Sequence, residues 1–201
     1  MEPKSIELLD GIISSGVEVC LISKYWDDET LMKFYNLGYR KFGENRLGAL
    51  EKRSQKLPDD IEWHFVGNIQ SRDLKKICHY ASIIQSFDRP DLLEKLSKFD
   101  EDIEILIQVN LLDDNSRNGV SSKELDLVMK KINDLQINCN GFMFHPPIEL
   151  SNMEKTKLFN QMNEIFSKYP EYSILSMGTS NDYQLANQCG ATLNRLGRVL
   201  F

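Results

Sequence analysis

An α/β fold, a single parallel (β/α)8 barrel of the TIM type with an extra N-terminal helix, is what this sequence predicts. Three observations carry the prediction. Short apolar runs alternate eight times with amphipathic helical stripes. No stretch carries a tight-hairpin signal, so the strands read as parallel. Residues able to do chemistry fall repeatedly at the C-terminal ends of those runs, the face where barrels of this kind keep their sites. A doubly wound open sheet shares the same alternation. Closure is the distinguishing expectation, because it sets the last strand beside the first.

Taken in order, Ile6, Leu8, Leu9, Ile12 and Ile13 form a helical stripe closed by Gly16. The block Val17, Val19, Cys20, Leu21 and Ile22 makes a strand that stops at Lys24. Asp27, Asp28 and Glu29 suit the positive end of a helix with Leu31, Phe34 and Tyr35 on its buried stripe and Gly38 as terminator. The second strand is expected at 39–42, with Gly43, Glu44 and Asn45 as loop and a helix over 46–55. Strand three falls at 62–66 and strand four at 83–87, where Asp88 is read as the cap of a helix with Pro90 in its first turn. Strand five spans 103–110. Ser121 and Glu124 read as a capping box, and so do Ser151 and Glu154. Strands six, seven and eight are expected at 139–143, 172–176 and 192–196, with a helix over 183–188 between the last two.

With 201 residues, 41% hydrophobic and 27% charged, and no Pro/Gly/Ser-rich linker, residues 1–201 read as one globular domain. A net charge of −6 argues against a nucleic-acid or anionic-membrane surface. No run is long enough to span a bilayer and the opening residues do not form a signal peptide, so a cytoplasmic location is expected. Cys20, Cys78, Cys139 and Cys189 stand far apart, and His64, His79 and His145 lack ligand spacing, which leaves metal binding without support. His64 reads as a hydrogen-bonded strand residue.

Lys24 ends an apolar strand, where desolvation can free an amine for carbonyl chemistry. Most lysines in such places reach water instead. Barrel closure would bring Arg195 near it. The loop 176–182, SMGTSND, places small and hydroxyl residues before a helix, and Gly197 in RLGR permits close backbone approach, so the two loops together form an anion cup. An amine beside a phosphate cup points to pyridoxal 5'-phosphate, with Lys24 as Schiff-base partner.

The segments ISK at 22–24, FGEN at 42–45, WHFVGNIQ at 63–70, QVNLLDDNSRNG at 108–119, GFM at 141–143, LSMGTSND at 175–182 and RLG at 195–197 closely resemble the pyridoxal phosphate homeostasis protein family, relatives of the alanine racemase N-terminal barrel. The resemblance covers nearly the whole chain in order. It implies a fold-type III barrel holding pyridoxal phosphate on Lys24, with Arg195 facing the pyridine nitrogen. It further implies phosphate contacts from Ser180 and the backbone of Gly197 and Arg198, Asn45 beside the ring, and Met143 and Met177 as pocket wall. An arginine at that nitrogen disfavours its protonation and weakens the ring as an electron sink. The expected role is therefore carriage and homeostasis of the cofactor, with delivery to apo-enzymes that use it, by a monomer. The competing expectation is an amino-acid racemase. Racemisation on this fold needs a second acid–base group from another domain or subunit, and the sequence ends at Phe201, just after strand eight. Departures from the family pattern lie at Gln70-Ser71-Arg72-Asp73, where a lysine is lost and an acid gained, and at Asp114 and Arg117, which keep the usual charges.

Overall fold

The structure, a computed structural model, describes residues 3–99, 101–114 and 116–201. Residues 1 and 2 of the opening segment and Asn115 of the 108–119 motif lie outside the described residues. Helix α1 (Pro3–Ser14) precedes a ring of parallel strands: β1 (Glu18–Ile22), β2 (Lys41–Glu44), β3 (Glu62–Phe65), β4 (Ile83–Phe87), β5 (Glu104–Asn110), β7 (Cys139–Met143), β8 (Ile174–Thr179) and β9 (Leu193–Leu196). A two-residue strand, β6 (Val120–Ser121), pairs with the end of β5 outside the ring. The ring closes. Strand β1 pairs with β9 in the register Cys20↔Arg195 and Leu21↔Leu196, and β4 pairs with β5. The sheet is therefore a closed barrel, and of the two arrangements that share the alternation it is the one that sets the last strand beside the first.

The intervening helices are α2 (Asp28–Asn36), α3 (Leu47–Ser54), α4 (Leu74–Tyr80), α5 (Leu93–Leu96), α6 (Leu125–Asp134), α7 (Asn152–Phe166) and α8 (Tyr183–Gln188). Their apolar stripes bury against the outside of the ring, where fully buried Leu31, Phe34, Leu50, Leu74 and Phe159 meet the outward-facing strand residues Leu21, Phe42 and Phe142 in one core. Burying a side chain of this kind contributes roughly 1.5–3 kcal/mol. Inside the ring the filling differs, with only a small separate apolar cluster of Ile83, Leu106 and Met143 beside buried His64, Gln85, Ser176 and Arg195.

Local capping signals hold at some helix ends and are overridden at others. Asp27 caps α2 by accepting the Thr30 N–H at 2.7 Å, and Ser151 and Glu154 form the expected capping box on α7. Ser121 does not cap α6. It lies in β6, and its hydroxyl donates to Asp113 Oδ1 at 2.5 Å, so the same S-x-x-E pattern is diverted by a strand pairing. Asp88 caps nothing either, because the next turn is a 3-10 helix (Pro90–Leu92) entered from Arg89. Strand β2 runs two residues later than expected, which draws Gly43 and Glu44 out of the loop and into the sheet. Strand β8 likewise continues through Met177, Gly178 and Thr179. Among the described residues, no helix is long and apolar enough to cross a membrane.

Candidate functional site

A cavity of about 670 Å³ opens at the C-terminal ends of the ring strands. Of the eight residues expected to form a site, seven line it: Lys24, Asn45, Met143, Ser180, Arg195, Gly197 and Arg198. Met177 does not. It is fully buried in the core behind the lining, because β8 continues through it and turns its side chain outward toward the helices. His145, whose role was open, also lines the cavity.

Lys24 sits one residue past buried Ser23 in the short connection from β1 to α2, and its Nζ lies 4.9 Å from the centre of the Tyr25 ring. The side chain is exposed rather than sunk in apolar surroundings, which corrects the expectation of a desolvated amine. What is fixed here is the backbone that carries it. Arg53, reaching from α3, donates to the carbonyls of Ser23 and Trp26 and to the carboxylates of Asp28 and Glu44. The Ser23 hydroxyl donates to the same Glu44 oxygen at 2.6 Å. Glu44 is completely buried at the end of β2, so the ion pair is shielded from water, where such a pair acts as a geometric constraint more than as a source of stability. Glu44 and Arg53 therefore clamp both sides of Lys24. The GEN motif announced Glu44 as a loop residue; nothing in the sequence marked Arg53, whose stem lies among ordinary helix residues.

Across the mouth, the loops after β8 and β9 meet. The backbone N–H groups of Gly197 and Val199 donate to Ser180 Oγ at 3.4 and 3.1 Å, so the hydroxyl occupies the focus of two main-chain donors. Gly197 is required there: a Cβ would come within 2.9 Å of the Ile22 carbonyl oxygen in the neighbouring strand. Gly178, at φ +87°, gives β8 the left-handed residue it needs to turn into this loop. Helix α8 has only six residues, so its dipole adds less than the sequence implied, and its leading Asp182 turns back to accept the N–H and hydroxyl of Thr179 at 2.7 and 2.9 Å.

Arg195 projects from β9 and is 6% exposed. Its Nη1 donates to the carbonyl and hydroxyl of Ser176 at 2.8 and 2.6 Å, and Nη2 donates to the Phe144 carbonyl at 3.0 Å. Burial lowers its pKa to about 10, which leaves it charged at neutral pH. The Ser176 hydroxyl donates to Gln85 Oε1 at 2.6 Å, Gln85 Nε2 contacts His64 Nδ1 at 2.6 Å, and His64 Nε2 contacts Glu62 Oε1 at 2.9 Å. Strands β4 and β8 are not neighbours in the ring, so the Ser176–Gln85 bond spans the lumen. A polar file thus runs from the cavity to the opposite end of the barrel. In this orientation of the Gln85 amide, His64 is the neutral ring with its proton on Nε2. Burial opposes charge on that ring, while Cys20 and Glu62 favour it and raise its pKa to about 9. A charged ring would meet the Gln85 carbonyl instead, with the amide reversed.

Several lining residues carried no sequence signal. Trp26 stacks on Phe34 at 4.8 Å between ring centres and walls the cavity beside Lys24. His145 Nδ1 donates to the Pro146 carbonyl at 2.7 Å, and burial followed by the nearby Arg195 charge holds its pKa below the ordinary 6.5. Lys155 enters the cavity from α7. The lining holds four cations, Lys24, Lys155, Arg195 and Arg198, against two carboxylates, Asp27 and Asp182. A chain with a net charge of −6 therefore concentrates positive charge at this one place.

The sequence model of the alanine racemase N-terminal domain matches residues 13–201. A pyridoxal phosphate homeostasis protein of Aquifex aeolicus is 33% identical over 191 residues, covering 89% of this chain and 83% of its own length. One from Schizosaccharomyces pombe is 31% identical over 198 residues, covering 92% and 84%. Among solved structures, PipY of Synechococcus elongatus without PLP superposes with a TM-score of 0.89 at 29% identity, over 98% of both chains. PipY with PLP bound gives 0.85 at 26% identity with the same coverage. The arginine decarboxylase of a Paramecium bursaria Chlorella virus shares the fold, with a TM-score of 0.74 at 18% identity over 63% of that chain. By sequence and by fold, this chain belongs to the pyridoxal phosphate homeostasis protein family, built on the alanine racemase N-terminal-domain barrel.

Proposed function

We propose that this protein binds pyridoxal 5'-phosphate reversibly on Lys24 as a Schiff base and serves in the homeostasis of that cofactor, keeping its aldehyde sequestered and releasing it to apo-enzymes. The observation that carries the reading is the convergence of Lys24, Arg195 and the Ser180–Gly197 cup on one net-positive cavity. The residues fit the group. A phosphate dianion fits beside Ser180, where it would take up the Gly197 and Val199 N–H groups that the hydroxyl otherwise accepts. Arg198 adds charge at the rim, and Asn45 and Met143 flank the place of the ring. Bound there, the cofactor supplies an aldehyde that condenses with an amine, releasing one water, and a ring able to withdraw electrons.

Arg195 sets what the ring is used for. A permanent cation facing the pyridine nitrogen keeps that nitrogen unprotonated, which limits carbanion stabilisation and favours holding over turnover. The clamp of Arg53 and Glu44 on both sides of Lys24 serves the same end by fixing the amine's anchor. Mixing purified protein with pyridoxal phosphate is expected to produce a Schiff-base absorption band that Lys24→Ala abolishes. An unchanged spectrum of the wild-type protein would overturn the reading. Incubation of the loaded protein with L-alanine in deuterated water distinguishes the racemase: carriage predicts no sustained exchange at Cα and no D-alanine.

A further inference from the structure

Lys155 is 6% exposed, yet among the described residues its Nζ makes no hydrogen bond and has no carboxylate within 4 Å. Its position in the first turn of α7 adds to the cost, since a cation there faces the positive end of the helix dipole. The adjacent carboxylate is no counter-ion: Glu154 Oε2 is engaged by the N–H and hydroxyl of Ser151 in the capping box. Asp182, across the cavity, is engaged by Thr179. Packing therefore buries the stem of Lys155 while its ammonium opens on the cavity, unpaired by any described side chain and presented to whatever anion the cavity holds. Among the described residues no side chain stands opposite it, which leaves it available to a bound anion. The cavity that Lys155 lines also presents the Ser180 hydroxyl, the Arg198 guanidinium and the Gly197 loop, a donor set suited to a phosphate rather than to a lone carboxylate.

We propose that Lys155 is a phosphate-binding residue of this cavity, the buried cation that neutralises a phosphomonoester dianion seated against the Ser180–Gly197 cup. The assignment rests on the cofactor reading only for which phosphomonoester is bound; the phosphate site itself stands on the unpartnered amine. Two lysines then divide the work. Exposed Lys24 reacts with the aldehyde end, and buried Lys155 holds the phosphate end.

The test compares wild-type protein with Lys155→Met, a variant of similar volume, by thermal denaturation in inorganic phosphate and in chloride at equal ionic strength. Without phosphate the variant is expected to melt at the same temperature as wild type or higher, since the buried stem keeps its packing and the cation at the helix N-terminus is gone. Phosphate is expected to stabilise wild type saturably and to bind the variant about ten- to a hundredfold more weakly. Equal stabilisation of both proteins by phosphate would overturn the proposal. So would a variant that melts well below wild type in chloride, because that marks a structural bond to the amine; Lys155→Gln, which keeps a polar end, repeats the phosphate comparison if the methionine variant fails to fold. In a second arm, wild type is expected to prefer pyridoxal phosphate over pyridoxal by a larger factor than the variant does. Phosphate dependence on Lys155 without any Schiff-base band would leave this site standing and remove the cofactor reading. A band of equal strength and affinity in both proteins would do the opposite.

Discussion

The barrel has a cavity at each end, and the two are nearly the same size, about 670 Å³ at the C-terminal ends of the strands and about 660 Å³ at the N-terminal ends. Their chemistry is opposite. The first is lined by four cations and two carboxylates; the second by Lys41 alone against Glu18, Glu62, Asp102 and Glu104. At the N-terminal end the one cation is already taken: Lys41 pairs with Glu18 at 2.5 Å and approaches Glu62 at 3.8 Å, Glu62 meets His64, and Asn140 donates to Glu104 at 3.0 Å. At the C-terminal end Lys24, Lys155 and Arg198 make no ion pair among the described residues. Volume alone does not make a site. Donors left for a ligand do.

The comparison breaks most visibly at Arg53. Arg53→Met leaves the buried Glu44 carboxylate without its cation and frees the carbonyls of Ser23 and Trp26, an expected loss of about 3–5 kcal/mol. For a chain of this size that lowers the melting temperature by roughly 10 °C. Calorimetry checks the stability, and the rate of Schiff-base formation checks whether the Lys24 anchor has loosened. A variant as stable and as reactive as wild type would show that the clamp is incidental.

Next in size is Gln85→Leu, which cuts the polar file that joins the two ends. It leaves Ser176 and the His64 ring each short of a partner, at about 1–3 kcal/mol per buried group. Because Ser176 also receives Arg195, the variant is expected to alter the absorption of bound cofactor as well as stability. A stability loss with an unchanged cofactor spectrum would confine the file to a structural part. The smallest effect belongs to the N-terminal end: Lys41→Ala breaks a partly exposed pair and should cost no more than about 1 kcal/mol, with no change in cofactor capture.

Much of this architecture was legible before any coordinates, for identifiable reasons. Strands buried on both faces need largely apolar runs, and β1 and β5 fall where those runs lie. Lys24, Ser180, Arg195 and Gly197 stand at or just past strand ends, so sequence position alone sent them to the cavity. Signals of the same form failed where tertiary context decided. Ser151 caps a helix and Ser121 does not, because β6 claims the second serine. The resemblance implied both methionines as pocket wall; Met143 lines the cavity, whereas Met177 lies within β8 and packs into the outer core. Lys155 was invisible: in the run Glu154–Lys155–Thr156–Lys157 nothing distinguishes the one side chain that packing buries. The partners of Arg53 and Gln85 come from the β1–α2 connection, α2, β2, β3 and β8, which no local pattern relates to them.

The difference between the two ends is tested most directly by asking which lysine pyridoxal phosphate finds. Incubation followed by borohydride reduction and peptide mapping is predicted to place a single pyridoxyl-phosphate group on Lys24, with Lys41 and the surface lysines unmodified and Lys155 retained as free amine. Reductive labelling spread over surface lysines, or concentrated on a lysine other than Lys24, would contradict the account.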